Sequence, residues 1–169
     1  TDLVSKRRAN VAYLEQRLSD YPGLTMPEID EGASHSYYMH VMRYDAEVTG
    51  VSREHFVEAI KAELPPSGLR EAEGPLIGAG YVKPIYLHPM FATKTAFGNV
   101  SCPFDCPHYT GTVSYGPGLC PNCEDAHATV ITHEFMRPSM SESDMDDVIC
   151  AFGKVKDNFP ALRRHDKKS

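Results

Sequence analysis

No apolar run in this chain approaches the roughly 18–20 residues that a membrane-spanning helix needs. The N-terminus opens in a charged, helix-like pattern rather than a signal-peptide pattern, and a reducing cytoplasm is the expectation. Basic excess is also missing. The net charge is −6 and the pI near 5.7, which speaks against nucleic-acid and anionic-membrane partners. The only basic clusters, Lys6–Arg7–Arg8 and Arg163, Arg164, Lys167 and Lys168, read as solvated terminal charge. Five cysteines is an odd number in a chain too long to be a disulfide-stapled mini-domain. H-E-x-x-H, G-x-S-x-G, the P-loop and the dinucleotide fingerprint are all missing, and the eight histidines are dispersed. There is no internal repeat and no low-complexity tract.

What is present fits one domain with an adequate core, since 169 residues carry 41% apolar and 24% charged side chains. Leu3, Val4, Val11, Leu14 and Leu18 recur at helical spacing before Asp20, Pro22 and Gly23 stop the pattern. "SHSYYMHVMRYD" (34–45) predicts a strand with apolar residues on both faces, hence covered on both. "VSREHFVEAIKAEL" predicts a helix capped by Ser52, with Phe56, Ala59 and Ile60 inward and Pro65–Pro66 as its end. "GYVKPIYLHPMF" (80–91) reads as an extended segment lining a surface or cleft, because Pro84 and Pro89 exclude a central strand. Residues 92–118 form a long irregular stretch, expected to be mobile or exposed. A helix starts at Pro121 and "TVITHEF" reads as a strand. Finally Ser141 with Asp144, or Ser143 with Asp146, opens a helix that buries Val148, Ile149, Phe152 and Val155. The order predicts an α+β domain: a small, mostly antiparallel sheet packed with helices.

The densest chemistry is "CPFDCPHYTGTVSYGPGLCPNC". Cys102, Cys106, Cys120 and Cys123 stand at spacings near those of a zinc site, with His108 and His127 as further ligands. Against zinc, Phe104 is bulky for a metal knuckle and "CPNC" opens a helix, which also suits a redox dithiol or simple packing. Zinc-stabilised binding module, redox pair and structural cysteines all stay open on the residues alone.

The ordered set of segments resembles the C-terminal part of the DegT/StrS-type sugar aminotransferases. The resemblance rests on "RRANVAYLEQRL", "SHSYYMHVMRYD", "VSREHFVEAIKAEL", "GYVKPIYLHPMF", the "AFG" at 96–98, "YGPGLCPNCE" and "DMDDVICAFGKVKDN". It covers nearly the whole chain and implies the small C-terminal domain (1–169) of a fold-type I enzyme, a fragment without the large N-terminal domain. In the full-length enzyme it implies pyridoxal phosphate, a keto-sugar substrate, an amino-acid amine donor such as glutamate, and a homodimer. The lysine that carries the cofactor and its aspartate partner fall in the missing domain. Lys83 and Lys94 lack the matching flanks, so no catalytic residue, no cofactor and no activity are expected of this chain alone. The resemblance places Tyr81, Lys83 and Tyr86 on the substrate cleft. Tyr81 and Tyr86 stand where the family often has histidine. Of the four clustered cysteines only Cys120 belongs to the family pattern.

Overall fold

A computed structural model describes residues 2–66, 74–97, 102–104 and 107–166. Thr1, Gly98, Cys106, Lys167 and Lys168, named above, lie outside the described residues. The described chain divides into two compact units, Thr1–Gly80 with Thr129–Ser169, and Tyr81–Ala128.

The first unit begins with α1 (Asp2–Leu18), which turns Asn10, Val11, Leu14 and Leu18 inward at helical intervals. Leu3, expected on that stripe, is exposed, about two turns before Asn10, the first buried residue of the helix. The chain reverses at Gly23, whose φ of +75° suits glycine, and enters β1 (Leu24–Thr25).

Strand β2 (His40–Tyr44) starts six residues later than expected. Residues 35 and 37 cannot join a ladder because α1 has taken their carbonyls: Arg8 Nε donates to His35 O (2.8 Å) and Arg7 Nη1 to Tyr37 O (2.6 Å). Tyr37 also has a positive φ of 50°. These two arginines are therefore structural donors rather than idle terminal charge, as is Arg163, whose Nε donates to Thr49 O at 2.6 Å. Nor is β2 covered on both faces. His40, Met42 and Tyr44 are buried, while Arg43 and Val41 (38% exposed) face outward.

The sheet runs β1–β2–β4–β3, antiparallel throughout. β4 (Val130–His133), a β-branched run, forms as expected and pairs on both edges. β3 (Ile77–Ala79) lies in a glycine-rich stretch with no strand signal of its own. It exists because β4 offers a free edge, which Gly80 N–H extends by donating to Val130 O at 2.8 Å.

After a single turn, α2 (Ala46–Thr49), comes α3 (Arg53–Glu63). Ser52 caps it by accepting from His55 N–H, and Phe56, Val57 and Ile60 are buried; Ala59 packs at the core's margin. α6 (Glu142–Asp157) carries the Ser141–Asp144 capping box and buries Met145, Val148, Ala151, Phe152 and Val155, with Ile149 at its edge. An unanticipated α7 (Phe159–Asp166) adds Phe159 to an aromatic cluster. There the Tyr21 ring meets Phe56, Phe152 and Phe159 edge-on at 6.0, 5.6 and 6.1 Å. The Tyr21 hydroxyl donates to Phe152 O at 2.9 Å, which satisfies it inside the core.

The second unit is mostly irregular. Its 80–91 segment is not extended. Each proline instead starts a tight turn: a 3-10 turn at Ile85–Leu87 after Pro84, and α4 (Pro89–Ala92) with Pro89 at its first position. Phe91, Phe104 and Tyr115 pack ring against ring at 5.2–5.9 Å. Residues 107–112 are exposed, in line with expectation. α5 (Pro121–Thr129) closes the stretch. No helix of the described residues is long and apolar enough to cross a membrane.

Candidate functional site

The three residues placed on a substrate cleft lie together on the turn around Pro84. Tyr81 is 58% exposed and Lys83 is exposed, so both present their polar ends to solvent. Tyr86 is half-buried and differs from them. Its hydroxyl donates to Glu124 Oε1 on the first turn of α5. The same carboxylate accepts the Gly118 N–H at 2.7 and 3.0 Å. Loss of solvent around the ring and the Glu124 charge push the Tyr86 phenol up to about 12. The bonds from Tyr86 and Gly118 hold the Glu124 carboxyl below its ordinary range. Tyr86 is therefore a positioned side chain with its proton committed, while Tyr81 and Lys83 are open to solvent. In the sequence Glu124 stands out as a first-turn acid of α5 and as the end of the "YGPGLCPNCE" segment; nothing in the spacing paired it with a tyrosine 38 residues away.

Among the described residues the cysteines do not make a metal centre. Cys102 is half-buried, and Cys120 and Cys123 are exposed. Among the described residues no group of three or more His, Cys, Asp or Glu side chains converges as metal ligands. Cys106 lies outside the described residues, so the four-thiolate set finds no support as a unit.

Two of the dispersed histidines meet instead. The β2–β4 register sets His40 opposite His133, and both are buried. Phe135 N–H donates to His133 Nδ1 at 3.3 Å, which leaves the His133 proton on Nε2. That proton points to His40 Nδ1 at 2.7 Å, so His40 in turn donates from Nε2 to Glu15 Oε1 at 2.9 Å. Burial lowers the His40 pKa against the opposing pull of Glu15, and burial with the neighbouring His40 holds His133 well below its ordinary value. Every ring nitrogen of this pair is committed, so the pair itself offers no lone pair to a ligand. A cleft of about 500 Å³ in the same unit is lined by Pro65, Pro75, Phe135 and Met140 among others. Its charged groups are also paired, Arg137 with Glu134 at 2.5 Å and Asp144 with Ser141.

The fold of the chain is similar to part of several aminotransferases of known structure. The chain matches a DegT DnrJ EryC1 StrS aminotransferase from Brucella abortus with a TM-score of 0.54 and 20% identity, over 90% of this chain and 31% of that one. It matches DesI, solved in the presence of its TDP-sugar product, with a TM-score of 0.61 and 16% identity, over 96% and 34%. The class defined at this level is an α+β fold that these aminotransferases contain within a longer chain. Among individual proteins, the spore coat polysaccharide biosynthesis protein SpsC of Bacillus subtilis (strain 168) is 25% identical over 150 residues. Those residues are 88% of this chain and 31% of SpsC, so the chain spans about a third of the relatives it matches. No protein-family model matches the chain.

Proposed function

We propose that residues 1–169 form the C-terminal small domain of a pyridoxal-phosphate-dependent aminotransferase that aminates a keto-sugar, in nucleotide-linked form. The observation that carries this reading is the similarity to SpsC along 150 residues. The TDP-sugar product of DesI supports a nucleotide-linked substrate.

When bound, the cofactor supplies an electron sink that lets an amino acid's amine pass to a ketone, and it needs a lysine and a carboxylate beside its ring nitrogen. The residues described here do not fit that whole site. Lys83 stands exposed on a short turn, and the carboxylate of Glu124 is occupied by Tyr86 and Gly118. Cofactor binding is therefore assigned to a large domain outside this sequence, and the active assembly is taken to be a homodimer. Tyr81 and Lys83 offer a phenol and an ammonium to sugar hydroxyls and to phosphate or carboxylate, over a floor fixed by Tyr86.

The test compares the 169-residue chain with the longer protein that includes a large domain, each given pyridoxal phosphate, glutamate and a panel of nucleotide-linked keto-sugars. Amino-sugar formation by the longer protein and none by the chain is expected. In the longer protein Y81F and K83A should each raise KM several-fold with kcat and cofactor absorbance preserved. Amination by the isolated chain would remove the proposed division of labour. A longer protein that binds the cofactor yet aminates only keto acids would remove the sugar.

A further inference from the structure

Two exposed thiols stand one helical turn apart at the start of α5, and the amine-transfer reading uses neither. The Cys120 carbonyl accepts the first intrahelical bond, from Glu124 N–H at 3.0 Å, so Cys120 is the N-cap and Cys123 the third helical residue. Helix radius and rise put the Cα atoms of positions three apart about 5 Å from each other, inside the range of roughly 4.4–6.8 Å that a disulfide spans. Pro121 stiffens the short connection, so little chain entropy opposes closure. Neither thiol is in a disulfide, and both are open to a small oxidant.

The same turn is a structural anchor. Glu124, adjacent to Cys123, holds both the Gly118 N–H and the Tyr86 hydroxyl. Both thiols also lie close enough to Tyr86 for their charges to add to the upward push on its phenol. A covalent change at this helix start is therefore made beside the residue that floors the proposed cleft.

We infer that Cys120 and Cys123 are a redox-active dithiol, which a low-molecular-weight disulfide of the glutathione class closes to an intrachain disulfide at the start of α5. One cysteine attacks a sulfur of the small disulfide, breaking its S–S bond, releasing one small thiol and leaving a mixed disulfide. The second cysteine attacks the protein sulfur of that bond and releases the second small thiol. One S–S bond breaks and one forms, two thiol protons end on the released thiols, and two electrons pass to the oxidant. This chemistry stands independently of the aminotransferase reading. Only its consequence for the cleft at Tyr86 rests on that reading.

The 169-residue chain is equilibrated in mixtures of reduced and oxidised glutathione, its remaining thiols are trapped with iodoacetamide, and the peptides are mapped by mass. The Cys120–Cys123 peptide should lose two hydrogens and both alkyl groups together. It should do so in a mixture about tenfold or more reducing than the one that modifies Cys150, because ring closure is intramolecular. C120S and C123S, substitutions at exposed positions, should each stop at a mixed disulfide with glutathione. Separate alkylation of both cysteines where Cys150 has already reacted would overturn the inference. So would pairing of either with Cys102, Cys106 or Cys150, or a stable mixed disulfide in the unsubstituted chain. The readout is mass alone, so it fails or succeeds apart from any amine-transfer assay.

Discussion

His40 and His133 show how a single pair of side chains sets a condition on the fold. Both are buried neutral, with their pKa values lowered by burial. The unfolded chain therefore binds more protons than the folded one between the lowered values and the ordinary value of 6.5. The pair's contribution is fully present above pH 6.5 and is lost as the pH falls below it. Protonation of His40 Nδ1 would aim its new proton at the His133 Nε2–H, only 2.7 Å away. Urea midpoints measured from pH 8 to pH 5 should fall progressively below about 6.5; a flat profile would count against the assignment. H133L should flatten that profile and cost about 1–3 kcal/mol at pH 8, because His40 Nδ1 loses its donor. None of this was legible beforehand. His40 and His133 were expected on strand faces and are there, but 93 residues separate them, and only the strand register makes them neighbours.

At the scale of elements, helix starts were the most legible features because their chemistry is local. Ser52 and Ser141 cap the helices they were expected to cap, each within three residues of its partner. S141A should lower stability by about 1 kcal/mol, read as a shift in denaturant midpoint at constant slope. Gly23 illustrates what local chemistry leaves open. The sequence marked it as a stop; the structure adds that a Cβ there would meet Thr49 Cγ2 at 2.7 Å and Asp45 O at 2.8 Å. Gly32 has a similar φ of +80° with nothing within 4 Å. G23A should therefore cost clearly more than G32A, by about 1–3 kcal/mol, since only the first adds a clash to the backbone penalty. Equal losses would mean that Thr49 and Asp45 yield easily. Strands were less legible at their ends. β2 lost its first residues to the arginines of α1, and β3 had no signal until β4 supplied its partner.

Across the whole molecule, large apolar side chains stand exposed in the second unit, with Tyr81, Val82, Ile85, Met90, Phe97 and Leu119 all open to solvent. A set of this kind fits a surface that another protein body covers. The isolated chain should bind a hydrophobic dye. I85S with F97S should reduce that binding without lowering the unfolding temperature, since neither side chain is part of the core. Absence of dye binding would argue that this surface needs no cover. The sequence by itself determined α1, α3, α5 and α6 with the serine caps of α3 and α6, the α+β class and the ordered resemblance to sugar aminotransferases, because these depend on neighbours within a few residues or on segment order. Tertiary structure alone decided that Tyr86 spends its hydroxyl on Glu124, that His40 meets His133, and that Cys102, Cys120 and Cys123 form no metal-ligand group among the described residues. Each of those outcomes joins or separates residues far apart in the chain, and only the folded path sets such distances.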